Sequence, residues 1–161
     1  MLLRIRFGAP YTSSSKNCTG SKMTKDGYAE LTEIEALAGV ILYPYADKVL
    51  SKEDYKLCKD GGLDLIDAPR ENLQSITTEL CKNSQTIVRA LPSSIIANNP
   101  FYRQIEPKYF TAPNRFSTVE AAIIALVILG EEQYAFEIAR KYEMTEIIIY
   151  VKKALFMEGL L

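Results

Sequence analysis

The segment STVEAAIIALVILG, residues 117–130, constrains the fold of this chain more than any other. Ser117 stands three residues before Glu120, the spacing at which a hydroxyl caps a helical amide and a carboxylate bonds back to the cap. From Val119 to Leu129 every residue except Glu120 is apolar, and Gly130 is suited to the left-handed position that ends a helix. A helix that is apolar nearly all round must be buried. It is also well short of the roughly 20 residues that cross a bilayer. The chain therefore has to supply further layers to cover it.

Those layers are legible upstream. Leu3, Ile5 and Phe7 alternate as in a strand. A Ser-, Thr-, Lys- and Gly-rich loop then leads into a short helix expected near Lys22 to Leu31. The β-branched run from Ala38 to Pro44 reads as a buried strand. Ser51, with Asp54 three residues on, starts a helix that Gly61 and Gly62 stop. Leu63 to Asp67 is a short strand ending in a carboxylate, Glu71 to Leu80 a helix, and the apolar TIVRAL is closed by Pro92. Ser93 to Pro100 is expected to be a second buried strand, and residues 101–115 are irregular, aromatic and locally basic. Beyond Gly130, helices are expected over Glu132 to Tyr142 and Thr145 to Glu158. Strands alternating with helices, then a helical tail, predict an α/β fold with a largely parallel sheet.

Composition narrows the chemistry. The 161 residues are 48% hydrophobic and 24% charged, enough apolar material for a core. The apolar run at the start is too short for a signal peptide, so a cytoplasmic location is expected. Nineteen Lys and Arg against twenty Asp and Glu leave a net charge of −1. That argues against a protein gripping a long duplex by its phosphates, but permits docking of a local basic patch on one RNA site. No histidine is present, which removes Ser-His and Cys-His nucleophilic catalysis. Cys18, Cys58 and Cys81 form no CxxC pair and read as reduced, buried thiols.

Four segments, in order, carry a resemblance. SSKNCTGSKM (Ser14 to Met23) keeps Lys16, Cys18, Thr19, Gly20 and Lys22 of one family segment. YPYADKVLSKEDYKLCKDGGLDLIDAPR keeps Leu50, Ser51, Asp54, Gly62 and Asp67 of a second. Arg89, Leu91 and Pro92, followed by Asn98, Asn99 and Pro100, match a third, and FSTVEA (Phe116 to Ala121) a fourth. In these the chain resembles the aminocarboxypropyltransferases that finish a hypermodified uridine of small-subunit ribosomal RNA.

The resemblance implies a SPOUT-like fold with a largely parallel sheet and a C-terminal trefoil knot. It implies a small N-terminal part over residues 1–35, and an S-adenosylmethionine (SAM)-binding domain over 36–161. SAM would be a substrate whose 3-amino-3-carboxypropyl group goes to N3 of a modified (pseudo)uridine, releasing methylthioadenosine without a metal. Asp67 matches the residue near the ammonium of the methionine tail, and can also help take the N3 proton. Thr19 matches a residue that binds the tail carboxylate. Ile66 and Arg70 fall in the same cofactor segment, and Leu91, Phe116, Ser117 and Thr118 match loops that hold adenine and ribose. Lys16, Lys22, Arg89, Arg103, Lys108 and Arg115 are the expected RNA contacts, with Tyr102, Tyr109 and Phe110 able to stack on an unpaired base. The expected partner is small-subunit rRNA or a pre-ribosomal particle, met by a monomer away from any membrane.

The chain also departs from the family. Asp67-Ala68-Pro69-Arg70 stands where the family has Asp-Cys-Ser-Trp, and no tryptophan occurs anywhere. MTEIIIYVK, from Met144, replaces a Trp-Gly-…-Asn pattern. An apolar wall beside the sulfonium is thus exchanged for Arg70. Three functions stay open: an active transferase on small-subunit rRNA, a ribosome-assembly factor of the same fold that binds RNA and has lost transfer, or SAM-dependent transfer onto another RNA such as tRNA.

Overall fold

The first strand shows how the sheet is organised. In the computed structural model, which describes residues 1–7, 18–32, 39–68, 72, 86–97 (backbone alone at 96 and 97) and 116–159, β1 is Leu3–Phe7. Leu3 and Ile5 turn to one face of the sheet, Arg4 and Arg6 to the other. Four further strands follow: β2 (Glu30–Leu31), β3 (Val40–Leu42), β4 (Leu63–Asp67) and β5 (Val88–Arg89). Every pairing is parallel, in the order β2-β1-β4-β3-β5. The parallel α/β expectation therefore holds. β3 is buried along its whole length, as suits an unbroken Val-Ile-Leu run in a parallel sheet.

Register decides what the sheet buries. Leu3 pairs with Leu63 and Arg4 with Asp64, through to Phe7 with Asp67. Asp64 thus lies on the face of Arg4 and Arg6, and its carboxylate takes Arg4 Nε at 2.7 Å and Arg6 Nε at 2.5 Å. Arg6 and Asp64 are both 0% exposed. The Arg4 guanidinium also donates to the Gly61 carbonyl.

Helix α1 spans Thr19–Lys25, earlier and shorter than the sequence suggested. Gly27, at φ +80°, ends it: the Tyr28 amide reaches the Met23 carbonyl and the Gly27 amide reaches Thr24, a Schellman closure. The residues expected to continue the helix instead form β2. Helix α2, Tyr55–Gly61, follows a 3-10 turn at Lys52–Asp54 with the expected Ser51/Asp54 capping box, and ends at Gly62. Asp54, itself buried, holds β5 as well, through Arg89 Nε at 2.9 and 3.0 Å.

The chain divides into two compact units, Met1–Ala90 and Leu91–Leu161. This boundary and the one expected at residue 35 partition the chain differently, because β1 and β2 hydrogen-bond within the sheet of the first unit. The second unit is helical. Ser93–Ala97, the described part of the strand expected over Ser93 to Pro100, is a helix, α3, and Asn98 to Pro100 lie outside the described residues. A five-residue Ser/Ile run has no period that distinguishes the two, and the Ile95 amide closes a helical turn onto the Pro92 carbonyl. α4 (Thr118–Leu129) carries the capping box, is buried on nearly every side, and ends at Gly130 in the left-handed conformation. α5 (Glu132–Lys141) buries Ala135, Ile138 and Ala139, and α6 (Thr145–Met157) buries Ile147, Val151 and Leu155. The Tyr150 hydroxyl of α6 donates to the Ile95 carbonyl of α3 at 3.3 Å. Among the described residues no helix is long and apolar enough to cross a membrane. The expected helix Glu71 to Leu80 and the irregular stretch 101–115 lie outside the described residues, apart from helical Asn72.

Candidate functional site

Asp67 is the last residue of β4, between β1 and β3, at the carboxyl end of the sheet. That is where open α/β sheets place their ligands. Alternation along β4 puts its side chain on the face of Leu63 and Leu65, the face that α1 covers. The approach of α1 is close enough to require glycine. A Cβ on Gly20 would collide with Asp67 Oδ2 and stand 2.9 Å from Ile5 Cγ2.

That approach joins two segments far apart in sequence. The Gly20 amide donates to Asp67 Oδ2 at 2.8 Å, and Cys18 Sγ lies 2.8 Å from the same oxygen. Cys18 is the N-cap of α1, and its sulfur accepts the Ser21 amide at 3.3 Å. The thiol therefore serves the helix as an acceptor and the carboxylate as a donor. Burial, reinforced by the hydrogen bond to Asp67, pushes the Cys18 thiol up to about 12, so it stays protonated at neutral pH. Asp67 is 8% exposed and Cys18 7%. Among the described residues, the hydrogen bonds to Asp67 fall on Oδ2. The result is a fixed carboxylate at the carboxyl end of the sheet, beside the first turn of a helix, suited to pairing with a cation.

The other expected residues are more scattered. Thr19, the first residue of α1, is half-buried beside this cluster. Ile66 is on the opposite face, packed against Ile41 with Ala68 and Val88. Lys22 is exposed on α1. Arg89 is held by Asp54, with Nη2 2.8 Å from Oδ1, and its side chain is 16% exposed. Leu91 and Phe116 are half-buried in the second unit. There the Ser117 hydroxyl accepts the Glu120 amide at 3.3 Å, the Ser117 amide donates to Glu120 Oε2 at 2.6 Å, and Thr118 opens α4. Lys16, Arg70, Arg103, Lys108, Arg115, Tyr102, Tyr109 and Phe110 lie outside the described residues.

Sequence reasoning missed the role of Cys18, which it read as a small buried hydrophobe. Its signal was its place directly before Thr19-Gly20, as a helix cap. Cys58 fits the simpler reading, being buried and free. The pairing of Arg4 and Arg6 with Asp64 was missed too, although two arginines spaced by one residue in an apolar strand must share a face.

A parallel sheet whose inner strand ends in a carboxylate, docked to the start of a helix, defines an α/β protein with a polar cluster at the carboxyl end of its sheet. Comparison with known proteins makes the class specific. The family described as ribosome biogenesis protein, C-terminal, matches residues 40–158, and the chain belongs to that family. Relatives named 16S rRNA aminocarboxypropyltransferase include one from Sulfurisphaera tokodaii, 32% identical over 77% of this chain and 66% of the relative. Another, from Vulcanisaeta distributa, is 31% identical over 83% of this chain and 69% of its own length. The chain thus spans about two thirds of these relatives. A solved structure described as the SAM-dependent rRNA:acp-transferase Tsr3 from Vulcanisaeta distributa superposes with a TM-score of 0.74 at 26% identity, covering 95% of this chain and 79% of that one.

Proposed function

We propose that this chain transfers the 3-amino-3-carboxypropyl group of SAM to N3 of a modified (pseudo)uridine in small-subunit rRNA, releasing methylthioadenosine. The observation that carries this reading is the meeting of the Cys18-Thr19-Gly20 turn with Asp67, 47 residues from Gly20. These are the two segments in which a SAM-binding role was expected, and the relatives' names point to the same chemistry.

The donor fits the residues present. A carboxylate fixed at the carboxyl end of an inner strand suits the ammonium of the methionine tail, and the Thr19 hydroxyl and amide suit its carboxylate. SAM supplies an activated carbon–sulfur bond; the chain supplies binding and orientation. Asp67 is also the residue proposed to help remove the N3 proton as the nitrogen–carbon bond forms. Ile66 and Arg70 are proposed to flank the tail, and Leu91, Phe116, Ser117 and Thr118 to hold adenosine. No metal is assigned a part. Lys16, Lys22, Arg89, Arg103, Lys108 and Arg115 are the proposed RNA contacts, Arg89 being paired with Asp54 as well. With this reading go a SPOUT-like trefoil knot, a small part over 1–35 ahead of a SAM-binding domain over 36–161, a monomer, and work in the cytoplasm on rRNA or a pre-ribosomal particle.

The test uses two SAM preparations, labelled in the carboxyl carbon or in the methyl, with unmodified small-subunit rRNA. Carboxyl label in the RNA without methyl label is the expected result. No label from either, under conditions where an intact relative works, would sink the transferase reading. A second reading, an RNA-binding assembly factor without transfer, is favoured by Arg70 in the tryptophan position and by the hydrogen bonds that Asp67 makes to α1. Asp67→Ala separates the two: an enzyme loses transfer, whereas a pure binder has no transfer to lose and keeps its RNA affinity.

A further inference from the structure

The thiol of Cys18 is not needed for packing alone. An alanine would fill much of the same apolar space, yet Sγ accepts from the Ser21 amide and lies 2.8 Å from Asp67 Oδ2. Two donors, Cys18 S–H and the Gly20 amide, converge on that single oxygen. A carboxylate gripped at one oxygen by two donors from a helix start has lost its free rotation. Among the described residues the other oxygen takes no hydrogen bond, which leaves it to accept from a ligand.

We propose that Cys18 is a positioning residue for the amino-acid tail of the donor, its S–H clamping Oδ2 of Asp67 so that Oδ1 accepts from the ammonium of SAM. The inference rests on the reading of the chain as SAM-dependent, and makes the cysteine part of how the donor is recognised. The thiol suits the task for two reasons. Its pKa of about 12 keeps it a donor across the working range. A single sulfur can also accept a helix amide and donate to a carboxylate at once. Alanine does neither, and serine does both with a shorter reach.

The test is equilibrium binding of two probes, SAM and methylthioadenosine, the second lacking the tail. Cys18→Ala is expected to weaken SAM about tenfold, leave methylthioadenosine within about twofold, and lower Tm through the lost cap. Cys18→Ser is expected to recover most of the SAM affinity. A purely structural cysteine predicts instead that both probes weaken together, or that neither does; either result overturns the proposal. If the wild-type chain binds neither probe, the SAM reading itself fails and takes this inference with it. A second measurement holds even where the alanine variant does not fold. The infrared difference between wild type and Cys18→Ser isolates the S–H stretch of this thiol. It is expected at lowered frequency, and Asp67→Asn is expected to move it upward. An S–H band that Asp67→Asn leaves unmoved overturns the clamp.

Discussion

In the first unit, Arg6, Asp64, Asp54 and Asp67 are all buried along or beside the sheet, whereas among the described residues of the second Glu120 is the buried charged residue, set among aliphatic side chains. Both interiors are filled, but by different means. α4 is held by apolar burial that tolerates small rotations of its neighbours, since one methyl contact replaces another. The sheet is held in addition by directional pairs: Asp64 reads the register of β1 against β4, and Asp54 ties β5 to the start of α2. A slip of one residue would turn Asp64 away from both arginines. Directional pairs fix geometry, and the unit they hold is the one that contains Asp67 and the turn around Cys18. The apolar unit supplies bulk and a capped, rigid helix start.

The comparison breaks first at Asp64. Asp64→Ala leaves two guanidiniums facing one another without their carboxylate, one of them fully buried, and is expected to cost about 3–5 kcal/mol in urea unfolding. Replacing Arg4, Arg6 and Asp64 together by Leu and Met is expected to return much of that loss, because the cluster fixes register more than it adds stability. If the single and triple variants are equally damaged, register is not what the cluster provides. The matching change in the second unit is Leu126→Ala, at a fully buried α4 position. It is expected to cost about 2–5 kcal/mol by opening a cavity, with no change in the register of the sheet. Amide exchange along β1 and β4 separates the two cases.

The same contrast explains what could be read in advance. The capping boxes at Ser51 and Ser117, the parallel sheet, the strand ending at Asp67 and the two C-terminal helices arise from patterns local in sequence, and all are present. Two elements differ from expectation. Residues 22–31 contain Gly27, whose Schellman turn outweighs the helical propensity of the residues after it. Residues 93–100 are too short and mixed for either period to decide. The site was legible only in part. That Asp67 ends a strand is a local fact, but that its oxygen is clamped by the turn around Cys18 depends on which face α1 covers, a tertiary fact that no window of sequence contains. The resemblance singled out these two segments without showing how they touch.

Gly20→Ala tests the tightness of that contact. The new Cβ would overlap Asp67 Oδ2, so α1 or the carboxylate must shift. The expected destabilisation is about 1–3 kcal/mol, and, on the proposed function, a larger loss of affinity for SAM than for methylthioadenosine. Unchanged stability would mean that α1 sits more loosely on the sheet than its hydrogen bonds indicate.

The smallest effect sharpens the comparison from the apolar side. Burial raises the pKa of Glu120 above its ordinary 4.5, while its hydrogen bonds to the Ser117 amide and hydroxyl pull it back without winning. A carboxyl group with a folded pKa above its unfolded one binds its proton more tightly in the folded state. The stability it contributes is therefore complete below about pH 4.5 and is lost as pH rises through the folded value. Glutamine at this position of a capping box still bonds back to the cap and cannot ionise. Glu120→Gln is therefore expected to gain on the wild type as pH goes from about 4 to about 7, and to match it at the acid end. Urea midpoints of the two proteins across that range measure the difference directly. A difference that shrinks or reverses with rising pH would show that Ser117 and the helix N-terminus stabilise the charge more than burial penalises it. The buried charge of the apolar unit would then be as well provided for as those of the sheet.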